Sequence, residues 1–157
     1  MIKMSEGRRK LGIVFASGAS NRICCLIIYG AAALAMGYEV KVHLVNEGLV
    51  AFRKDTLSKL STGDATLTAF PEHFRPYVDT YLRNLEEAVR SGKIKDWYSW
   101  LKELKETYGD SFKIYACPVA AQFYEVKKED LADVVDDIKG AAAFLDEVYG
   151  GPILYIG

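Results

Sequence analysis

The chain has 157 residues, 50% of them apolar, and 20 basic against 21 acidic side chains give a formal net charge of −1. That length and apolar content predict one compact domain with a core of its own, and the balanced charge excludes a global field that would gather nucleic acid or an anionic membrane. The polar start MIKMSEGRRK shows no signal-peptide pattern, so the expected location is the cytoplasm, where three cysteines read as free thiols.

Residues 11–16, LGIVFA, form an uninterrupted apolar run of strand length, as a strand covered on both faces of a parallel sheet requires. SGASN, residues 17–21, supplies a turn and helix-capping side chains, and a long helix is predicted to about Met36, with Gly37 as its stop. Within it, residues 23–38 carry no charge, yet the run falls short of the roughly 20 apolar residues of a spanning helix and reads as a buried helix instead. Residues 38–45, YEVKVHLV, alternate and are β-branched, which predicts the second strand and a right-handed βαβ unit.

A short helix is expected over GLVAFRKDTL, a loop over residues 61–73, and two helices over 76–89 and 96–108, separated by SGK. Only the second of these is needed to cross back to a third strand at 112–116, so residues 61–91 read as a helical insertion. After Cys117 the pattern predicts a short helix, a helical turn from Lys128, an extended stretch at 134–136, a helix over 139–149 and a last strand in PILYIG. The predicted fold is a single α/β/α domain over residues 1–157, flavodoxin-like in its layers, with a mainly parallel five-stranded sheet.

In such a sheet ligands bind beyond the carboxyl ends of the strands. Three predicted strand ends contribute there: Ser17, Gly18, Ser20 and Asn21 after the first, Glu47 and Gly48 after the second, and Cys117 with Pro118 after the third. Pro118 suits the first helical position, where its missing N–H costs nothing, and so makes Cys117 the N-cap, where free backbone N–H groups and the helix dipole favour the nucleophilic thiolate. SGASN with Arg22 reads equally well as an anion cradle and as plain capping sequence. Cys24 and Cys25 lie inside the first helix and read as buried small hydrophobes, with a second functional thiol as the alternative. His43 alternates with apolar residues in the second strand and His73 falls in the insertion; neither has a ligand-spaced partner, and no metal site is expected. No GxGxxG, GxxxxGK[ST] or GxSxG is present, so no cofactor is expected either.

KIYACPVAAQFYEVKKEDLADVVDDIKGAAAFLDEVY, residues 113–149, together with LGIVFASGASNR and GYEVKVHLVNEGL, resembles the DsrE/DsrF-like family of small sulfur-relay proteins, in its longer DsrE-like branch. Pro118 and the following AAQFY stand where related members carry a Met-rich segment. The resemblance implies the DsrE-like fold, a sulfur-accepting cysteine at Cys117 that carries persulfide or thiosulfonate sulfur from a small sulfur compound, a homo-oligomer, and exchange with a TusA-like carrier protein. Two other classes stay open: an oligomeric scaffold or small-ligand-binding protein of the same fold, in which the cysteine is incidental, and a flavodoxin-like nucleotide binder.

Overall fold

The computed structural model describes residues 7–62, 65, 67 and 71–157. Five strands, β1 (Lys10–Phe15), β2 (Glu39–Leu44), β3 (Phe112–Ala116), β4 (Asp137–Ile138) and β5 (Ile153–Ile156), form one sheet in the order β4-β3-β2-β1-β5. All neighbouring pairs are parallel. The face turned to α1 and α4 is fully enclosed, with Ile13 and Phe15 of β1, Val40, Val42 and Leu44 of the alternating β2, and Ile114 and Ala116 of β3 all buried.

Among the described residues six α-helices flank this sheet: α1 (Ser20–Ala35), α2 (Glu47–Ala51), α3 (Arg75–Arg90), α4 (Trp97–Tyr108), α5 (Pro118–Phe123) and α6 (Ala141–Glu147). β1 to β2 and β2 to β3 step in the same direction, so their right-handed crossovers place α1 and α4 on one face, packed against each other. The step from β4 back to β5 runs the other way, and α6 therefore covers the opposite face. There Phe144 stacks on His43 at a centroid distance of 5.1 Å.

Local sequence accounts for most boundaries. Gly37 at φ 85° closes α1, a conformation that costs a side chain and suits glycine. Asp96 caps α4 by accepting a hydrogen bond from the Ser99 backbone N–H at 3.0 Å. Gly48 lies so close to the end of β1 that a Cβ there would sit 2.2 Å from the Phe15 carbonyl oxygen, so its smallness sets how α2 seats on the sheet.

Two expectations are corrected and a third is not covered in full. The expected extended stretch at 134–136 is a turn, in which the Val135 N–H donates to the Ala132 carbonyl; pairing with β3 begins at Asp137. The N-cap of α1 is Ala19, without a side-chain cap, because Ser17 Oγ accepts from the Ala19 N–H and Ser20 is already helical. The loop expected over residues 61–73 lies partly outside the described residues. Ser20 is fully buried, and its hydroxyl accepts the indole N–H of Trp97 at 2.9 Å.

Among the described residues no helix is long and apolar enough to cross a membrane. α1 packs its buried face on the sheet and on α4, with Tyr81 of α3 beside Cys24, and leaves Ile28, Tyr29 and Met36 exposed.

Two expected outcomes follow from this packing. Ser20→Ala removes the acceptor of a buried indole N–H and should lower the unfolding free energy by about 1–3 kcal/mol, read by urea denaturation. His43 is buried, and burial pushes its pKa below 6.5, although its Nε2 contact with the Lys139 carbonyl at 2.9 Å acts the other way. The unfolded chain then binds a proton that the folded chain refuses, so stability is intact above about pH 6.5 and falls as pH drops through that value, by no more than about 1.4 kcal/mol per pH unit. Melting temperatures of His43→Gln should be flatter than those of the native chain over the same range.

Candidate functional site

The ladder of the sheet runs one residue past each strand and forms a level rim. The Ala16 N–H donates to the Ile156 carbonyl at 2.8 Å, Val45 to Phe15 at 2.9 Å, Cys117 to Leu44 at 2.9 Å and Lys139 to Ala116 at 3.0 Å. Cys117, Val45 and Ala16 therefore stand side by side on adjacent strands, and the loops that follow them leave the sheet together.

Cys117 occupies the N-cap of α5 in extended conformation, with Pro118 at the first helical position, and its carbonyl accepts the first helical bond from the Ala121 N–H at 2.9 Å. The sulfur makes no capping hydrogen bond, and the side chain is partly exposed. Extended backbone before a proline is what the ring of Pro118 imposes, so the strand-to-helix corner is written in the Cys-Pro pair itself. Tyr115 is buried, whereas Phe123 is 78% exposed and Tyr124 43%. α5 is only six residues long and turns its Val119 and Phe123, four positions apart and so on one face, to solvent.

After β2, Asn46 adopts φ 46° and ψ −132°, a region that side chains avoid, at the tip of the turn into α2. Glu47 is exposed beside Gly18, where a Cβ would lie 3.8 Å from that of Glu47. Gly18 and Glu47 thus meet across the first two loops, whereas Gly48 is buried against the Phe15 carbonyl and Ser20 against Trp97. Ser17 is engaged with the Ala19 N–H, and Asn21 is partly buried and has its own interactions. Of the residues expected to hold a ligand, Cys117, Pro118, Glu47 and Gly18 face the rim; Ser20 and Gly48 serve the packing behind it. By strand spacing, the turn after β1 lies about 10 Å from Cys117.

The two neighbouring cysteines of α1 part company. Cys24 points at Tyr81 of α3, and burial, with Cys25 close by, outweighs the Tyr81 hydrogen bond and pushes its thiol up. Cys25 lines a separate groove beside β5. Neither is placed at the β3 corner. His43 sits inside the opposite face, and His73 is exposed next to Phe74.

Two features of the rim had no clear sequence signal. The exposed Val119–Phe123 pair lies on a helix too short to show a period, and the strained turn at Asn46 would be announced by a glycine rather than by the asparagine present.

Comparison with known proteins agrees with this architecture. A solved structure of a protein of unknown function from Methanobacterium thermoautotrophicum superposes with a TM-score of 0.58 at 12% identity, covering 95% of this chain and 99% of that one, which shows a shared fold. No curated protein matches the chain. The family model described as DsrE/DsrF/DrsH-like matches residues 7–153, from before β1 into β5. The match spans β1 to β4 together with Cys117, and the chain belongs to the DsrE/DsrF/DrsH-like family.

Proposed function

We propose that this protein is a sulfur carrier, in which Cys117 accepts sulfur from a small donor and hands it to a TusA-like carrier protein. Membership of the DsrE-like family gives a sulfur-relay role in general. The observation that supports the specific reading is the position of Cys117, a partly exposed thiol at the strand-to-helix corner of the rim, with no capping hydrogen bond on its sulfur.

Two loading steps balance. The thiolate attacks the outer sulfur of thiosulfate, the S–S bond breaks, Cys117 persulfide forms and sulfite leaves. With tetrathionate the thiolate attacks an inner sulfur, a cysteine thiosulfonate forms and thiosulfate leaves. In each case one S–S bond forms and one breaks, with no external oxidant or reductant. Delivery is the same displacement by a partner's thiolate.

Delivery needs a protein surface beside the thiol, and the exposed Val119–Phe123 face of α5 supplies an apolar one. Self-assembly belongs to another part of the molecule in this reading: Ile28, Ala32, Ala35 and Met36 form an exposed apolar stripe along α1, fit for a contact between copies of this chain. Residues 61–91 are read as an insertion of the same single domain. Glu47, Gly18 and Pro118 border the entry to the thiol.

Intact-mass measurement after thiosulfate or tetrathionate treatment should show one adduct, located on Cys117 by peptide mapping. Cys117→Ser should abolish it and keep the fold, while Cys24→Ala and Cys25→Ala should load normally. An adduct that survives in Cys117→Ser, or none in the native chain with any sulfane donor, leaves the scaffold reading in its place. Val119→Asp should load Cys117 at the native rate yet transfer sulfur to a TusA-like carrier roughly tenfold more slowly, since a desolvated charge at an apolar contact costs more than about 1.4 kcal/mol. An unchanged transfer rate would move the docking surface off α5.

A further inference from the structure

A groove of about 480 Å³ runs between α1 and the carboxyl half of β5, lined by Arg22, Cys25 and Tyr29 from the helix and by residues 154–157 from the strand. It lies three strand spacings from Cys117, about 15 Å away, where the sheet order reverses: the chain leaves β1 toward β2, while β5 docks on the other side of β1. In open α/β sheets this switch point is the place where ligands bind.

The lining is mostly apolar and aromatic, with one cation. Tyr29 is 57% exposed on the helix side, and Leu154 and Ile156, which alternate with Tyr155 along β5 and so face α1, form the opposite wall. The Nε of Arg22 is buried without a hydrogen-bond acceptor, and Arg22 has no ion-pair partner among the described residues. A buried guanidinium N–H is costly to leave unmade, and such orphans in native structures mark an absent ion, water or ligand. Arginine offers Nε and Nη as a parallel pair of donors, the geometry that carboxylate or sulfonate oxygens accept two at a time.

We propose that this groove binds a small organic monoanion, with its carboxylate or sulfonate on Arg22 and a flat apolar body between Tyr29 and the Leu154 and Ile156 side chains. A single guanidinium matches a single negative head; a polyphosphate would need more cations than the walls hold, and an inorganic anion would leave Tyr29 and the apolar wall unused. The volume lies within the range of small-ligand pockets, roughly 300–1,000 Å³. This site is independent of the chemistry at Cys117.

Cys25 provides a reporter inside the groove. The probe is 8-anilinonaphthalene-1-sulfonate, added to the full chain while its fluorescence is followed and the alkylation of each cysteine by iodoacetamide is read by peptide mass. Saturable binding at one site, protection of Cys25 and an unchanged alkylation rate at Cys117 are expected. Arg22→Gln should weaken binding about tenfold or more, with Arg22→Lys in between, whereas the uncharged N-phenyl-1-naphthylamine should not distinguish native from variant. If Arg22→Gln does not fold, the footprint on the native chain decides alone. No saturable binding, no protection of Cys25, or equal affinity in a folded Arg22→Gln overturns the proposal. So does a Cys25 already unreactive without probe in a chain that light scattering shows to be a dimer, which would mean that a second copy covers the groove.

Discussion

Trp97 begins α4 with both of its N–H groups committed inside the protein. Its indole donates to Ser20 Oγ at 2.9 Å and its backbone to Ser61 Oγ at 2.8 Å, with the ring almost wholly enclosed. Two hydroxyls from segments 36 and 77 residues away converge on one residue, tying the start of α1, the segment after α2 and the start of α4 at the carboxyl end of the sheet. Neutral side-chain bonds of this kind are weak one at a time, but inside a dry core the unpaired alternative is expensive, so the three segments hold one another in place. The rim that carries Cys117 inherits its shape from this knot, because α1 and α4 lead respectively out of β1 and into β3.

The same contact explains a limit of reading the chain by eye. Ser20 follows a strand, precedes an apolar helix and sits in a Ser-Gly turn, which is the local pattern of an anion cradle. Nothing within ten residues announces that an indole far along the chain has claimed its hydroxyl. Strand positions and helix periods are local properties: β1 was legible as an apolar run and β2 by its β-branched alternation, and β3 by the strand-to-helix corner that follows it. β4 was misplaced because it is two residues long and owes its existence to pairing with β3 rather than to its own composition.

The candidate thiol was legible where the groove beside β5 was not. A cysteine between a strand and a proline encodes its own geometry, since the proline restricts the residue before it and suits the first helical position. The groove joins residues near position 25 to residues near 155, and its defining property is that Arg22 lacks a partner. A missing partner is a fact of the assembled molecule. Charge at Arg22 can be read from the sequence; its isolation cannot.

α3 holds to the body of the protein more lightly than any helix of comparable length. Of its sixteen residues only Leu85 is buried, and Tyr81 adds its hydrogen bond to Cys24. A helix with so little enclosed apolar surface belongs to the least protected part of a native structure, which opens without global unfolding. Cys24 lies beside that helix and is half-buried with α3 in place. Each lifting of α3 from α1 widens its access to solvent oxidants, so the chemical lifetime of that thiol carries a contribution from a local opening equilibrium, while the thiols at the rim and in the groove answer to the surface of the closed form.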